Sequence, residues 1–329
     1  MDLCFTTTSR LIQASTSNLR LATSVHKSIL PGGAATTRNL TLVFAHANGF
    51  CKEMWNPVLL QLAHLGFRGK CVTFDIRNQG ESGLANRKTF KDMGYRFKWT
   101  DNVNDYFSLI KQLELKRPLI GVGHSIGGCT VLKTEIDHPG TFDALISIDP
   151  VLFVVSKLPP PGQKIFDDIA TMTLKKRTHW ASKHEALKSF QEKPYFSSWH
   201  PEVLDLFVQH CLHPDSEKGG VSLTCLPQEE ANTFTGDDII SDTAKHLKDL
   251  TIPSYFICGR NSTFIPSNLA FDNASQSKLS ELVLLPHIGH LVPFEATKRT
   301  AIEIYRISHT YMDVLPEGFG MQTTEKAKI

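Results

Sequence analysis

The hexapeptide Gly123-His124-Ser125-Ile126-Gly127-Gly128 follows a continuous apolar run, Pro118-Leu119-Ile120-Gly121-Val122, and precedes a helical pattern with Val131, Leu132 and Ile136 on one face. This places G-x-S-x-G in a strand–turn–helix setting, where only glycine fits the crowded positions beside the serine. A serine hydroxyl is a poor nucleophile in water. A tight turn exposes it and leaves room for a base beside it and for donors aimed at a developing oxyanion, so Ser125 is the candidate nucleophile.

The rest of the chain repeats the same alternation. Leu40 to Ala45, Lys70 to Phe74, Pro118 to Val122, Ala144 to Ile148, Ser254 to Cys258 and Leu282 to Leu285 each read as a short buried strand. Between them Trp55, Val58, Leu59 and Leu62 fall on one helical face, and Val103, Phe107 and Ile110 repeat that spacing after an expected cap at Asp101. Strand alternating with helix predicts an α/β fold, a mostly parallel central sheet flanked by helices.

The alternation breaks between Val151 and about Leu250, where no strong strand pattern appears and Pro159-Pro160-Pro161-Gly162 marks an entry. Leu204, Phe207, Val208 and Cys211 form a helical stripe there, and further helices are expected within Gln163 to Lys193. The expected organisation is a core made of residues 1–150 and 251–316, an inserted helical cap over 151–250, and a C-terminal tail at 317–329. A cap at that point covers the crevice where open α/β sheets bind ligands and supplies an apolar pocket.

A formal net charge of +2, with basic residues scattered through 329 positions, gives no electrostatic footprint for nucleic acid. No apolar run approaches the roughly 18 to 20 residues of a membrane span. The seven cysteines include no C-x-x-C pair, which argues against a zinc site and against a disulfide framework. No motif calls for a metal or an organic cofactor, and the expected partner is a small molecule.

The loop His46-Ala47-Asn48-Gly49-Phe50 leaves the strand ending at Ala45. A backbone N–H of Ala47 or Asn48, together with that of Ile126, would form a two-donor oxyanion hole. The base is expected on the loop after the last strand, Gly289-His290-Leu291-Val292-Pro293-Phe294-Glu295, which leads into a helix marked by Ile302, Tyr305, His309 and Met312. The order serine then histidine selects His290, whose chemistry suits it to take and return a proton. His46, His124 and His287 read as structural or pocket-lining.

The acid is less direct. After the strand ending at Cys258, Gly259-Arg260-Asn261-Ser262-Thr263-Phe264-Ile265-Pro266 carries Ser262 where many such enzymes have an aspartate. A serine cannot stabilise an imidazolium electrostatically, so either the enzyme is impaired or the acid comes from another strand end. Asp149, which closes the strand Ala144 to Ile148 and precedes Pro150, takes the orienting role, with Asp272 as fallback. The stretch Asp75-Ile76-Arg77-Asn78-Gln79-Gly80-Glu81-Ser82 reads as a structural turn.

Together, H-A-N-G-F, D-x-R-x-x-G-x-S, G-H-S-x-G-G and G-H-x-x-P-F-E, in that order, resemble the α/β-hydrolase superfamily across nearly the whole core. The stretch His46 to Glu53, an acid at Asp149 and the C-terminal Ala327-Lys328-Ile329 are similar to a narrower group, the peroxisomal hydrolases of fungal secondary metabolism. That group includes hydrolases of the Alternaria host-selective toxin clusters (AK-, AF- and ACT-toxins) and, more distantly, the mycophenolic-acid acyl-CoA hydrolase. The resemblance implies a triad of Ser125, Asp149 and His290, and a role in making or releasing a decatrienoic-acid toxin moiety.

Ala327-Lys328-Ile329 has the small, basic, aliphatic form of the C-terminal peroxisomal address, which implies a peroxisomal import receptor as partner. A competing address lies at the other end: no acidic residue occurs from Leu3 to Lys52, while Arg10, Arg20, Lys27 and Arg38 are spaced through Ser/Thr-rich sequence, as in a mitochondrial presequence. The preferred reading of that segment is a β-hairpin, with Ser9 to Ala14 and Leu19 to Val25 as strands. Peroxisome is therefore expected first, with mitochondrion or cytoplasm as alternatives.

The leading expectation is a serine hydrolase acting on an ester or an acyl-CoA thioester. Epoxide hydrolysis and dehalogenation in this fold use a carboxylate at the turn, which Ser125 does not provide. A CoA thioester would favour cations at the pocket mouth, where Lys175, Lys176 and Arg177 could meet phosphates or could form only a solvated helix face. A non-catalytic binding protein on the same fold, and an acyltransferase in which an alcohol replaces water, are the alternatives.

Overall fold

The computed structural model describes residues 1, 4–31, 37–154 and 165–313, apart from the side chains of residues 165, 312 and 313. The expected cap entry at Pro159 to Gly162 and the expected address at Ala327 to Ile329 lie outside the described residues.

Eight strands form one sheet: β1 (Phe5–Gln13), β2 (Arg20–Ser28), β3 (Thr41–Ala45), β4 (Lys70–Phe74), β5 (Leu119–His124), β6 (Ala144–Ile148) and, after a long excursion, β10 (Ser254–Gly259) and β11 (Ser280–Leu285). Their order is β1-β2-β4-β3-β5-β6-β10-β11. Pairing is parallel from β4 through β11 and antiparallel only at β1–β2 and β2–β4. The N-terminal segment is the expected hairpin, longer than its sequence pattern indicates. It extends the sheet through register pairs such as Val25 with Val72.

The parallel strands are buried on both faces, which is why they read as unbroken apolar runs rather than alternating ones. One face is covered by α1 (Asn56–Leu65), with Val58, Leu59 and Leu62 turned inward. The other carries α2 (Gly80–Met93), α3 (Trp99–Gln112) and α4 (Ile126–Asp137). Asp101 is not the N-cap of α3. Lys98 holds that position, and the Asp101 carboxylate, one turn in, accepts from the Lys98 N–H at 3.1 Å. A side chain at N3 satisfies an orphan donor as a cap does, so the local signal is the same with the boundary shifted.

Between β6 and β10 lie α5 (Ile165–Thr173), α6 (Lys183–Gln191), α7 (Pro201–His210), α8 (Pro227–Thr235) and α9 (Ile240–His246). This stretch is not purely helical: β7 (His179–Trp180), β8 (Leu212–Pro214) and β9 (Val221–Leu223) form a small antiparallel sheet in the order β7-β9-β8. Strands of two or three residues are too short to show a period of two, so the expectation of no strands fails here for a geometric reason. The chain ends its described part with α10 (Ser267–Gln276), α11 (Val292–Glu295) and α12 (Thr297–Asp313). No helix among the described residues is long and apolar enough to cross a membrane.

Candidate functional site

Three loops at the C-terminal ends of β5, β6 and β11 bring Ser125, Asp149 and His290 together. Ser125 sits between β5 and α4 with φ 58° and ψ −119°, a conformation that L-residues rarely adopt. The close approach of the turn to the sheet enforces it. A Cβ on Gly123 would lie 2.1 Å from the Gly127 carbonyl oxygen, and one on Gly127 would lie 2.2 Å from the Ala45 oxygen. Both positions are closed to any larger residue, and the serine N–H is anchored on the Ile148 carbonyl at 3.0 Å.

His290 Nε2 is 3.0 Å from Ser125 Oγ, and His290 Nδ1 is 2.6 Å from Asp149 Oδ2. The relay is therefore continuous from hydroxyl to carboxylate. Asp149 is fully buried and accepts two further hydrogen bonds, from Gly259 N at 3.0 Å and from Ser262 Oγ at 2.6 Å. A buried carboxylate without such donors would be strongly disfavoured. Asp149 has φ 42°, a left-handed conformation that Asp tolerates better than most residues. The fallback, Asp272, is on the exposed face of α10, and the position facing His290 Nδ1 is taken by Asp149.

The histidine loop is held from several sides. Glu295 accepts from the N–H groups on both sides of His290, Gly289 at 2.9 Å and Leu291 at 3.1 Å. His124 Nε2 donates to the His290 carbonyl at 2.9 Å, and the Phe264 ring stacks on the imidazole at 4.5 Å between centroids. Burial pushes the His124 imidazole down to about 3, so it acts as a neutral donor. Sequence reasoning found the residues of the relay but not these supports. Glu295 was visible only as the last letter of G-H-x-x-P-F-E.

Ala47, Asn48 and Ile126 all border the cavity beside Ser125. Ile126 opens α4, so its N–H has no carbonyl one turn earlier in the helix to bond. The loop that carries Ala47 and Asn48 is fixed at both ends. His46 Nδ1 donates to the Ala47 oxygen at 2.7 Å while its Nε2 accepts from Ile76 N at 3.0 Å, which uses both nitrogens of a neutral ring. Burial lowers this group to about 4. The Asn48 side chain turns toward α8, donating to the Glu230 carbonyl and accepting from Gln79 Nε2.

Asp75 and Arg77 serve as a structural turn. The Asp75 carboxylate accepts from Lys52 N at 2.6 Å and Glu81 N at 2.8 Å, and Arg77 forms a buried two-point pair with Asp105. His287 lies in an exposed turn with φ 63°.

A cavity of about 740 Å³ opens from Ser125 and His290 into the β6–β10 excursion. Its walls are mostly apolar, and among the aromatic side chains in them Phe50, Phe166, Trp180, Phe190, Trp199 and Phe207 are prominent. Lys176 and Arg177 reach this cavity, but as partners in ion pairs and not as a helix face: Lys176 Nζ lies 2.5 Å from Glu230 Oε1, and Arg177 Nη2 lies 2.6 Å from Glu185 Oε1. They follow the end of α5 at Thr173, and Lys175 beside them is exposed.

A sequence profile described as the alpha/beta hydrolase family matches residues 42–303. The chain belongs to the α/β-hydrolase family. An abhydrolase domain-containing protein of Alternaria alternata is 27% identical over 57% of this chain and 81% of its own length. A peroxisomal membrane protein of Saccharomyces cerevisiae is 27% identical over 83% of this chain and 75% of its own. The crystal structure of that yeast protein, titled a peroxisomal α/β-hydrolase, superposes with a TM-score of 0.78 at 22% identity, covering 99% of this chain and 93% of the other. A type I acyl-CoA thioesterase of Penicillium roqueforti is 27% identical over 59% of this chain and 45% of its own length. This α/β-hydrolase is therefore similar to abhydrolase domain-containing proteins of Alternaria alternata, to a yeast peroxisomal protein and to an acyl-CoA thioesterase.

Proposed function

We propose that this α/β-hydrolase is a serine hydrolase that cleaves an ester or an acyl-CoA thioester through an acyl-enzyme. The observation that carries the reading is the unbroken relay Ser125 Oγ, His290 Nε2, His290 Nδ1, Asp149 Oδ2, with spacings of 3.0 and 2.6 Å. Ser125 Oγ attacks the acyl carbon while His290 Nε2 takes its proton, and the imidazolium is stabilised by Asp149. The oxyanion is received by the N–H of Ile126 and that of Ala47 or Asn48. His290 returns the proton to the leaving thiol or alcohol. Water, deprotonated by the same histidine, then releases the acid and restores Ser125.

The apolar cavity supports an apolar acyl group. The thioesterase relative supports a thioester substrate, the yeast relative supports a peroxisomal location reached through Ala327-Lys328-Ile329 and its import receptor, and the motif resemblance to the hydrolases of host-selective toxin clusters supports a place in fungal secondary metabolism. The deciding experiment measures thiol release from medium- and long-chain acyl-CoAs beside hydrolysis of p-nitrophenyl esters, for the wild type and Ser125→Ala. Acyl-CoA turnover lost in the variant is the expected result. Ester cleavage alone would move the reading to a carboxylesterase, and silence on both substrates would overturn it.

A further inference from the structure

The seven cysteines are all free and buried, yet two of them meet. Cys51 Sγ lies 3.4 Å from Cys211 Sγ, a thiol–thiol contact between residues remote in sequence. Cys51 directly follows the loop His46 to Phe50, and Cys211 caps the C-terminal end of α7. Both sit in one apolar cluster with Phe50, Trp199 and Phe207, in which the Phe207 ring packs edge to face against the other two. The pair spans the junction between the loop that borders Ser125 and the helices that roof the cavity.

Access comes from the cavity. Cys211 is among its lining residues, and so are Met172 and Tyr195, which are 70% and 57% exposed, so the space reaches solvent and admits a small neutral molecule. We propose that Cys51 and Cys211 form a modification site, a disulfide made by a hydroperoxide that ties α7 to the loop beside the reactive serine. The Cys211 sulfur attacks one peroxide oxygen, the O–O bond breaks, and water or an alcohol leaves, giving a sulfenic acid. The Cys51 sulfur then displaces the sulfenic oxygen as water, forming the S–S bond. The two thiols lose two electrons and two protons, and the peroxide is reduced by the same two electrons.

Cys211 borders the cavity and Cys51 lies behind it, so the first attack falls to Cys211. Cys225 also borders the cavity, but its sulfur contacts the Leu226 carbonyl at 3.9 Å and no second sulfur.

The test treats the folded full-length protein with hydrogen peroxide, blocks remaining thiols, digests without reductant and maps cross-linked peptides by mass spectrometry. A Cys51–Cys211 peptide is expected, together with a rise in Tm that dithiothreitol reverses. Cys51→Ser and Cys211→Ser each remove the Tm rise, while Cys71→Ser retains it. Ser125→Ala still forms the bond, since the pair does not depend on the proposed hydrolysis. A Cys211–Cys225 peptide, or oxidation of the native wild type without a Cys51–Cys211 peptide, overturns the proposal.

Discussion

Ser262 Oγ donates a 2.6 Å hydrogen bond to Asp149 Oδ2, the same oxygen that faces His290 Nδ1. Ser262 therefore stands within one hydrogen bond of the carboxylate that is proposed to orient the imidazole. Its hydroxyl oxygen also accepts from Ile265 N at 3.1 Å, which ties the loop after β10 to the acid. Ser262→Ala leaves Asp149 with two donors and removes a bond to a charged group, of a kind that contributes about 1.5–3 kcal/mol. The expected result is a fall in kcat of about tenfold with KM little changed, because the acyl pocket is untouched. Steady-state kinetics on the best acyl substrate checks the split.

Asp149→Asn tests the acid itself. Asn tolerates the left-handed backbone that φ 42° requires, so the fold is expected to survive with a near-native circular dichroism spectrum. The imidazolium then loses its counter-charge, and the amide favours the wrong tautomer of His290. A fall in kcat on the order of 10³- to 10⁴-fold is expected. Wild-type rates in this variant would mean that another residue serves as the acid.

Glu295 bridges Gly289 N and Leu291 N across His290, a two-point contact that a single amide oxygen cannot reproduce. Glu295→Gln is expected to lower kcat about tenfold, since a small drift of the base is costly in rate. Equal losses in kcat and kcat/KM place the defect in the transition state.

Gly127→Ala addresses the turn. The added carbon would stand 2.2 Å from the Ala45 oxygen and 2.9 Å from the His46 oxygen, both backbone atoms that have no room to retreat. Destabilisation by about 3 kcal/mol or more, read as a lower denaturation midpoint or as insoluble protein, is the expected outcome. Gly140→Ala makes a useful comparison, because a Cβ there meets nothing and only the φ of 83° is unfavourable.

Much of this arrangement is legible in the sequence, and the boundary of what is legible has physical causes. The strands β3 to β6 and β10 are recognisable because burial on both faces demands unbroken apolar runs. In β11 all but Leu285 are only partly buried, so its polar start at Ser280 and Glu281 was missed. Ser125 and His290 announce themselves by glycine spacing and chain order, and Asp149 by elimination at Ser262. The small sheet β7-β9-β8 leaves no trace because its strands of two or three residues are too short to show a period, and the Cys51–Cys211 contact leaves none because its residues are far apart in the chain.

The last prediction concerns acid. His46 is fully buried with Nδ1 donating to Ala47 O and Nε2 accepting from Ile76 N, so a second proton would place an N–H against an N–H. Its folded-state value of about 4 lies below the ordinary 6.5. Between those values the unfolded chain binds the proton and the folded chain does not, so the stabilisation is whole above pH 6.5 and is lost as pH falls toward 4. For this one group the loss is at most about 3 kcal/mol. His124 adds a loss of the same sign that extends to about pH 3. Urea midpoints measured from pH 7 to 4 should fall steadily in the wild type and less steeply in His46→Asn, whose amide can still donate to the Ala47 carbonyl without taking up a proton. Parallel slopes in the two proteins would assign the acid sensitivity to other groups.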